Sequence, residues 1–119
     1  MALDLSSLDF QQARIKQVLF KSRLRSVLYG VRDADDALLS RADNPLGQWL
    51  DAVVKPRYGA RPEVAQLEAA LQHQLDTGRD LLRLRQRGLL EEARAGLEHI
   101  DADATRIEAL LLNLEQAVV

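Results

Sequence analysis

The chain has 119 residues, a formal net charge of −2, 47% hydrophobic and 29% charged residues. That length suits one domain over residues 1–119, which buries roughly two-thirds of its unfolded surface and needs no disulfide or metal staple. The near-neutral balance leaves no whole-chain field to draw nucleic acid or an anionic membrane, and the lack of cysteine excludes disulfides, thiol chemistry and thiolate zinc sites and fits a reducing cytoplasm.

The opening MALDLSSLDF has no basic segment followed by a long apolar run, so it is not read as a secretory signal. No apolar run approaches the ~20 residues of a membrane helix. Leucine, alanine, arginine and glutamate dominate, with six glycines and three prolines, a mix that favours helix.

The first predicted helix runs from about Leu5 to Tyr29. Phe10, Ala13, Gln17, Phe20, Leu24 and Val27 follow steps of three and four and line one face, with Gln17 the polar exception in mid-stripe. Leu8, Ile15 and Leu19 form a second apolar patch beside it, more than one bundle interior can cover. Gly30 is expected to end the helix. Residues 33–42, DADDALLSRA, begin with capping aspartates and read as a short extra helix. In DNPLGQWLDAVV, Asn44 is a natural N-cap and Pro45 suits the first turn. Leu46, Trp49, Leu50 and Val53 are expected to face inward from this second helix, and KPRYGAR, residues 55–61, reads as a loop. The third helix starts at Pro62, with Val64, Leu67, Leu71, Leu75, Gly78 and Leu82 inside. His73 falls roughly 200° around the helix from Leu71, on the outer side. Gly88 marks a turn. The last helix carries Ala93, Leu97, Ile100, Ala104, Ile107, Leu111, Leu114 and Val118 in alternating steps, a bundle seam. The expected fold is all-α: an antiparallel four-helix bundle with a short extra helix.

Chemical motifs are sparse. There is no glycine-rich phosphate loop, no H-E-x-x-H and no cysteine pair. The serines and threonines carry no local triad signature, and the carboxylates fall mostly on outer faces, so an enzyme is not expected. Arg14, Lys21 and Arg25 share one face and Arg79, Arg83 and Arg87 another. No recognition-helix pattern or aromatic platform accompanies them, so they read as solvated faces rather than a nucleic-acid surface. His73 and His99 stand alone in the sequence and read as surface residues. A metal site would need both, with carboxylates converging on them.

The pieces QVLFKSRL, NPLGQWL and LQHQLDTGRDLL resemble, in this order and spacing, the chemoreceptor zinc-binding domain family, often called CZB. The likeness covers about Phe10 to Leu114. Its framework positions here are Phe20, Leu46, Gly47, Trp49 and Gly78. The family's zinc ligands are a histidine three residues before the aromatic, a cysteine two residues before Leu-Gly-x-Trp, and H-x-x-x-H; the matching positions here are Gln17, Asn44, Leu71 and Leu75. None is a suitable zinc ligand: leucine has no lone pair, and the Gln and Asn carbonyls are hard, neutral donors. The resemblance implies a four-helix, usually homodimeric, cytoplasmic regulatory module that acts on a diguanylate cyclase or chemoreceptor. The missing ligands imply independence of zinc, with no cofactor. The expectation is therefore a non-catalytic signalling module acting by helix packing and dimerisation, with Leu8, Ile15 and Leu19 at the dimer interface, no nucleic acid and no membrane insertion. Alternatives are a sensor of a different small ligand or metal, held through His73 or His99 in the metal case, or a purely structural dimerisation bundle.

Overall fold

The computed structural model describes residues 5–119; the first four residues of MALDLSSLDF lie outside the described part. All regular structure among the described residues is helical, and none of these helices is long and apolar enough to cross a membrane. The elements are α1 (Ser7–Leu28), α2 (Pro45–Trp49), a π-turn (Leu50–Val54), α3 (Lys55–Tyr58), α4 (Pro62–Gln86), α5 (Leu90–Ala95) and α6 (Leu97–Val118).

Helix α1 begins with a capping box: the Asp9 amide donates to Ser6 Oγ at 3.3 Å and the Ser6 amide to Asp9 Oδ2 at 2.8 Å. It ends in a Schellman turn, where the Val31 amide reaches back to the Ser26 carbonyl at 2.9 Å and Gly30 takes φ +76°. Helix α4 ends the same way, with Leu89 bonded to the Leu84 carbonyl and Gly88 at φ +82°. Both glycines hold a left-handed conformation that other residues adopt only with strain.

The predicted helix over 33–42 is not formed. The Leu38 amide donates to Asp35 Oδ1 at 2.9 Å, and the backbone bonds of this stretch span only three residues. Aspartate side chains that satisfy nearby amides compete with helix. Arg79 Nη2 also donates to the Leu39 carbonyl at 2.6 Å. Residues 29–44 are thus a connection of turns, anchored by Leu39 against Gly78 of α4.

The second helical segment is longer than predicted. It continues through the π-turn into α3, so residues 55–58 of the expected loop are helical. Pro56 cannot donate to a carbonyl one turn back and its ring crowds that carbonyl, which accounts for the widened turn before it. The extra residue turns the later side chains around the helix axis. Val53, expected inside, is 43% exposed, and Val54 is fully buried in its place. In α4, Leu82 is half-buried and Leu81 takes the interior. The space comes from Gly96, where a Cβ would collide with Leu81. Gly96 also divides the predicted last helix into α5 and α6, although its buried stripe continues across the break.

The pairings between segments define the packing. Arg14 meets Glu115 at 2.7 Å, Lys21 meets Asp101 at 3.0 Å, and Arg94 donates to the Leu28 carbonyl at 3.4 Å. Numbers therefore rise along α1 as they fall along α6 and α5. Between α1 and α4 they rise together, Gln17 to Gln74 and Leu24 beside Gly78. Phe10 and Trp49 meet edge to face, with centroids 5.5 Å apart. One core joins these segments, with Leu24, Leu50, Leu71, Leu75, Ile107 and Leu111 fully buried.

Candidate functional site

The four positions that the resemblance to CZB domains sets against zinc ligands each have a structural task. Leu71 and Leu75 are fully buried core residues of α4. Asn44 caps α2, its Oδ1 accepting from the Gly47 amide at 2.9 Å. Gln17 is buried, and its Nε2 donates to Gln74 Oε1 at 2.7 Å; Gln74 Nε2 in turn donates to the Ile100 carbonyl at 3.4 Å. Gln17 Oε1 has no partner. A buried amide oxygen left unpaired costs about 1–3 kcal/mol, so the pair fixes the seating of α1 on α4 more than it stabilises the core. Gln74 lies three residues after Leu71 and one before Leu75, and sequence reasoning passed over it. The available signal was spacing: Gln74 lies four residues after the buried Ala70 and four before Gly78, on the inner side of α4.

The framework residues divide similarly. Phe20, Leu46 and Trp49 are buried, and Gly78 leaves room for Leu39 and Leu24. Gly47 has a different reason: a Cβ there would collide with the Arg41 guanidinium. Arg41 passes over this glycine to bond Glu68 of α4 through two nitrogens at 2.6 Å each and Asp51 of the π-turn at 2.9 and 3.2 Å. Lys55 closes the network, 2.6 Å from Glu68 and 3.0 Å from Asp51. The bond from Arg41 and then that from Lys55 hold the Glu68 carboxyl below its ordinary value, and Lys55 followed by Arg41 does the same for Asp51. Glu68 raises both Arg41 and Lys55. One arginine thus ties the connection and the second segment to α4. No sequence signal singled out Arg41, because its partners lie 10 and 27 positions away.

Acid should loosen this tie. A carboxylate whose folded pKa is depressed contributes stability that is complete above its unfolded value, 4.5 for Glu68, and is lost as pH falls through the folded one. Wild-type stability should therefore decline below about pH 4.5, and Arg41→Ala should flatten that decline while costing about 1 kcal/mol at neutral pH, since the network is partly exposed. Chemical denaturation at pH 7 and pH 3.5 measures both. An Arg41→Ala protein with the wild-type acid slope would remove the network from this role.

The histidines lie on the surface. His73 Nδ1 is 2.8 Å from Asp103 Oδ1, while His99 is exposed. No group of three or more His, Cys, Asp or Glu residues among those described is placed to hold a metal. Compared with family models, curated proteins and solved structures, the chain matches none.

The most distinctive surface feature is the outer side of α1. Leu8, Ile15 and Leu19 are 60%, 57% and 49% exposed, and Val18, which the sequence reading missed, is 63% exposed. Gln11, Gln12 and Ser22 complete this side, so it carries no charge over about four turns. Arg14 and Lys21 border it on one flank, Lys16 and Arg23 on the other.

Proposed function

We propose that this chain is a non-catalytic regulatory module of bacterial signalling, similar in build to CZB domains but independent of zinc. It works as an antiparallel four-helix bundle that pairs as a homodimer in the cytoplasm. Through helix packing and dimer geometry it acts on a linked or bound output protein, of the diguanylate cyclase or chemoreceptor type. The directions of the residue pairings support the antiparallel reading, with α1 and α4 rising together while α6 descends. The ligand positions support zinc independence, because each is already committed to packing, capping or an amide pair.

The observation that carries the proposal is the uncharged outer side of α1. Contiguous apolar surface of this kind marks an interface, and a two-fold contact is the commonest way to cover it. A two-fold axis midway between Ile15 and Leu19 sets Ile15 of one copy against Leu19 of the other. It also sets Arg23 against the uncharged Gln11. Sedimentation at tens of micromolar should show a dimer, and Ile15→Glu/Leu19→Glu should give a folded monomer, since charges buried at an interface cost desolvation and repel. A monomeric wild type would refute the pairing, and a variant that loses helicity with dimerisation would place these residues in the core.

A further inference from the structure

A cleft of about 320 Å³ runs between the second half of α1 and the connection after it. Its floor is apolar: Phe20 and Val27 are buried in the bundle, and Leu38 is half-buried beside them. Its two walls differ in charge. The α1 wall presents Lys16 and Arg23; the opposite wall presents Asp33, Asp35 and Asp43 with Arg32, three negative charges against one positive, or net −2.

These charges face each other without meeting. Arg14 and Lys21, on the same helix, have ion-pair partners in Glu115 and Asp101. Lys16, Arg23, Asp33 and Asp43 form no ion pair with any described residue, and Asp35 is engaged only by the Leu38 amide. The connection is held at Leu39 by Gly78 and Arg79. A simple anion would be drawn to one wall and repelled by the other, and so would a simple cation. A molecule that carries both charges on an apolar body meets all three surfaces.

We propose that this cleft binds a zwitterion with an apolar body, of the class of free apolar amino acids and dipeptides. The carboxylate lies against Lys16 and Arg23, the ammonium against Asp33 and Asp43, and the side chains lie over Phe20, Val27 and Leu38. The volume falls at the lower end of the range for small-molecule sites. The cleft is built from one chain and goes beyond the pairing of α1, but Leu19 at its edge also belongs to the proposed pairing face; repeating the titration on Ile15→Glu, which lies outside the cleft, separates the two readings.

The test tracks amide NMR shifts of the full chain titrated with the dipeptide Leu-Leu, and with the same dipeptide acetylated at its N-terminus, amidated at its C-terminus, or both. The free dipeptide should shift amides around Phe20, Val27 and Leu38, and either cap should weaken binding by about tenfold, the loss of one charged contact. Arg23→Gln, an exposed change that leaves the core intact, should weaken the free dipeptide about tenfold and make it bind like the C-amidated one. Asp33→Asn/Asp43→Asn should do the same for the N-acetylated one. The proposal is overturned if the doubly capped dipeptide binds as well as the free one, if shifts map away from the cleft, or if millimolar dipeptide shifts nothing.

Discussion

Gln17→His/Asn44→Cys/Leu71→His/Leu75→His should bring the chain to or past its unfolding limit without metal and recover it with zinc. Each Leu→His change removes about 1.5–3 kcal/mol of burial and leaves interior imidazole groups unpaired at about 1–3 kcal/mol. Losing the Asn44 cap costs about 1 kcal/mol more. Together these reach about 6–13 kcal/mol, comparable with the whole stability of a small domain, about 5–15 kcal/mol. Zinc held by three histidines and a cysteine returns about 10–16 kcal/mol if the four side chains converge. Thermal melts followed by circular dichroism, with chelator and with zinc, measure both halves. The wild type should carry no stoichiometric zinc and should melt at one temperature in either buffer. A variant that gains nothing from zinc would break the correspondence with the CZB pattern.

Exchanging the two buried glutamines should give opposite signs for one change and for two. Gln74→Met removes the partner of Gln17 Nε2 and leaves that whole amide unpaired in the core, at a cost of about 1–3 kcal/mol. Gln17→Met/Gln74→Met keeps the shape, removes the unpaired Gln17 Oε1 and should match or exceed wild-type stability. Denaturant midpoints for the four proteins close the cycle. A double variant less stable than wild type would mean that the pair contributes more than it costs.

The stripes of α1 and α6 were readable before any coordinates, because apolar side chains at steps of three and four have only one face of a helix to share. Asn44 and Pro45 announced α2, and Gly30 and Gly88 announced two helix ends, because each residue's local chemistry decides its position. The misreadings have equally local causes. A π-turn adds one residue to the winding, and periodicity carried Val53 inward where Val54 belongs. Aspartates that cap a helix also close turns, and in residues 33–42 the Leu38 amide took the Asp35 side chain. At the candidate site, the burial of Leu71 and Leu75 was legible, while Arg41 and Gln74 were not: their roles are set by what lies across the bundle. The exposed patch on α1 was found by subtraction, as apolar residues beyond the stripe, and Val18 was overlooked because it falls at the patch's edge.

The bond between Arg14 and Glu115 spans 101 positions, whereas that between His73 and Asp103 spans 30. The entropy of closing a chain grows with the logarithm of the loop, which favours the shorter closure by about 1 kcal/mol. The hairpin of α4 and α6 should therefore assemble first, and α1 should dock onto it late. The same order reversed makes α1 the first helix to detach during brief openings of the native state, and its amides should exchange hydrogen ahead of those of α4 and α6. Uniform protection across the three helices would show a single cooperative unit instead. A partner that grips the outer side of α1 would then hold the most readily released piece of the molecule, and its grip would be felt as added protection throughout the bundle.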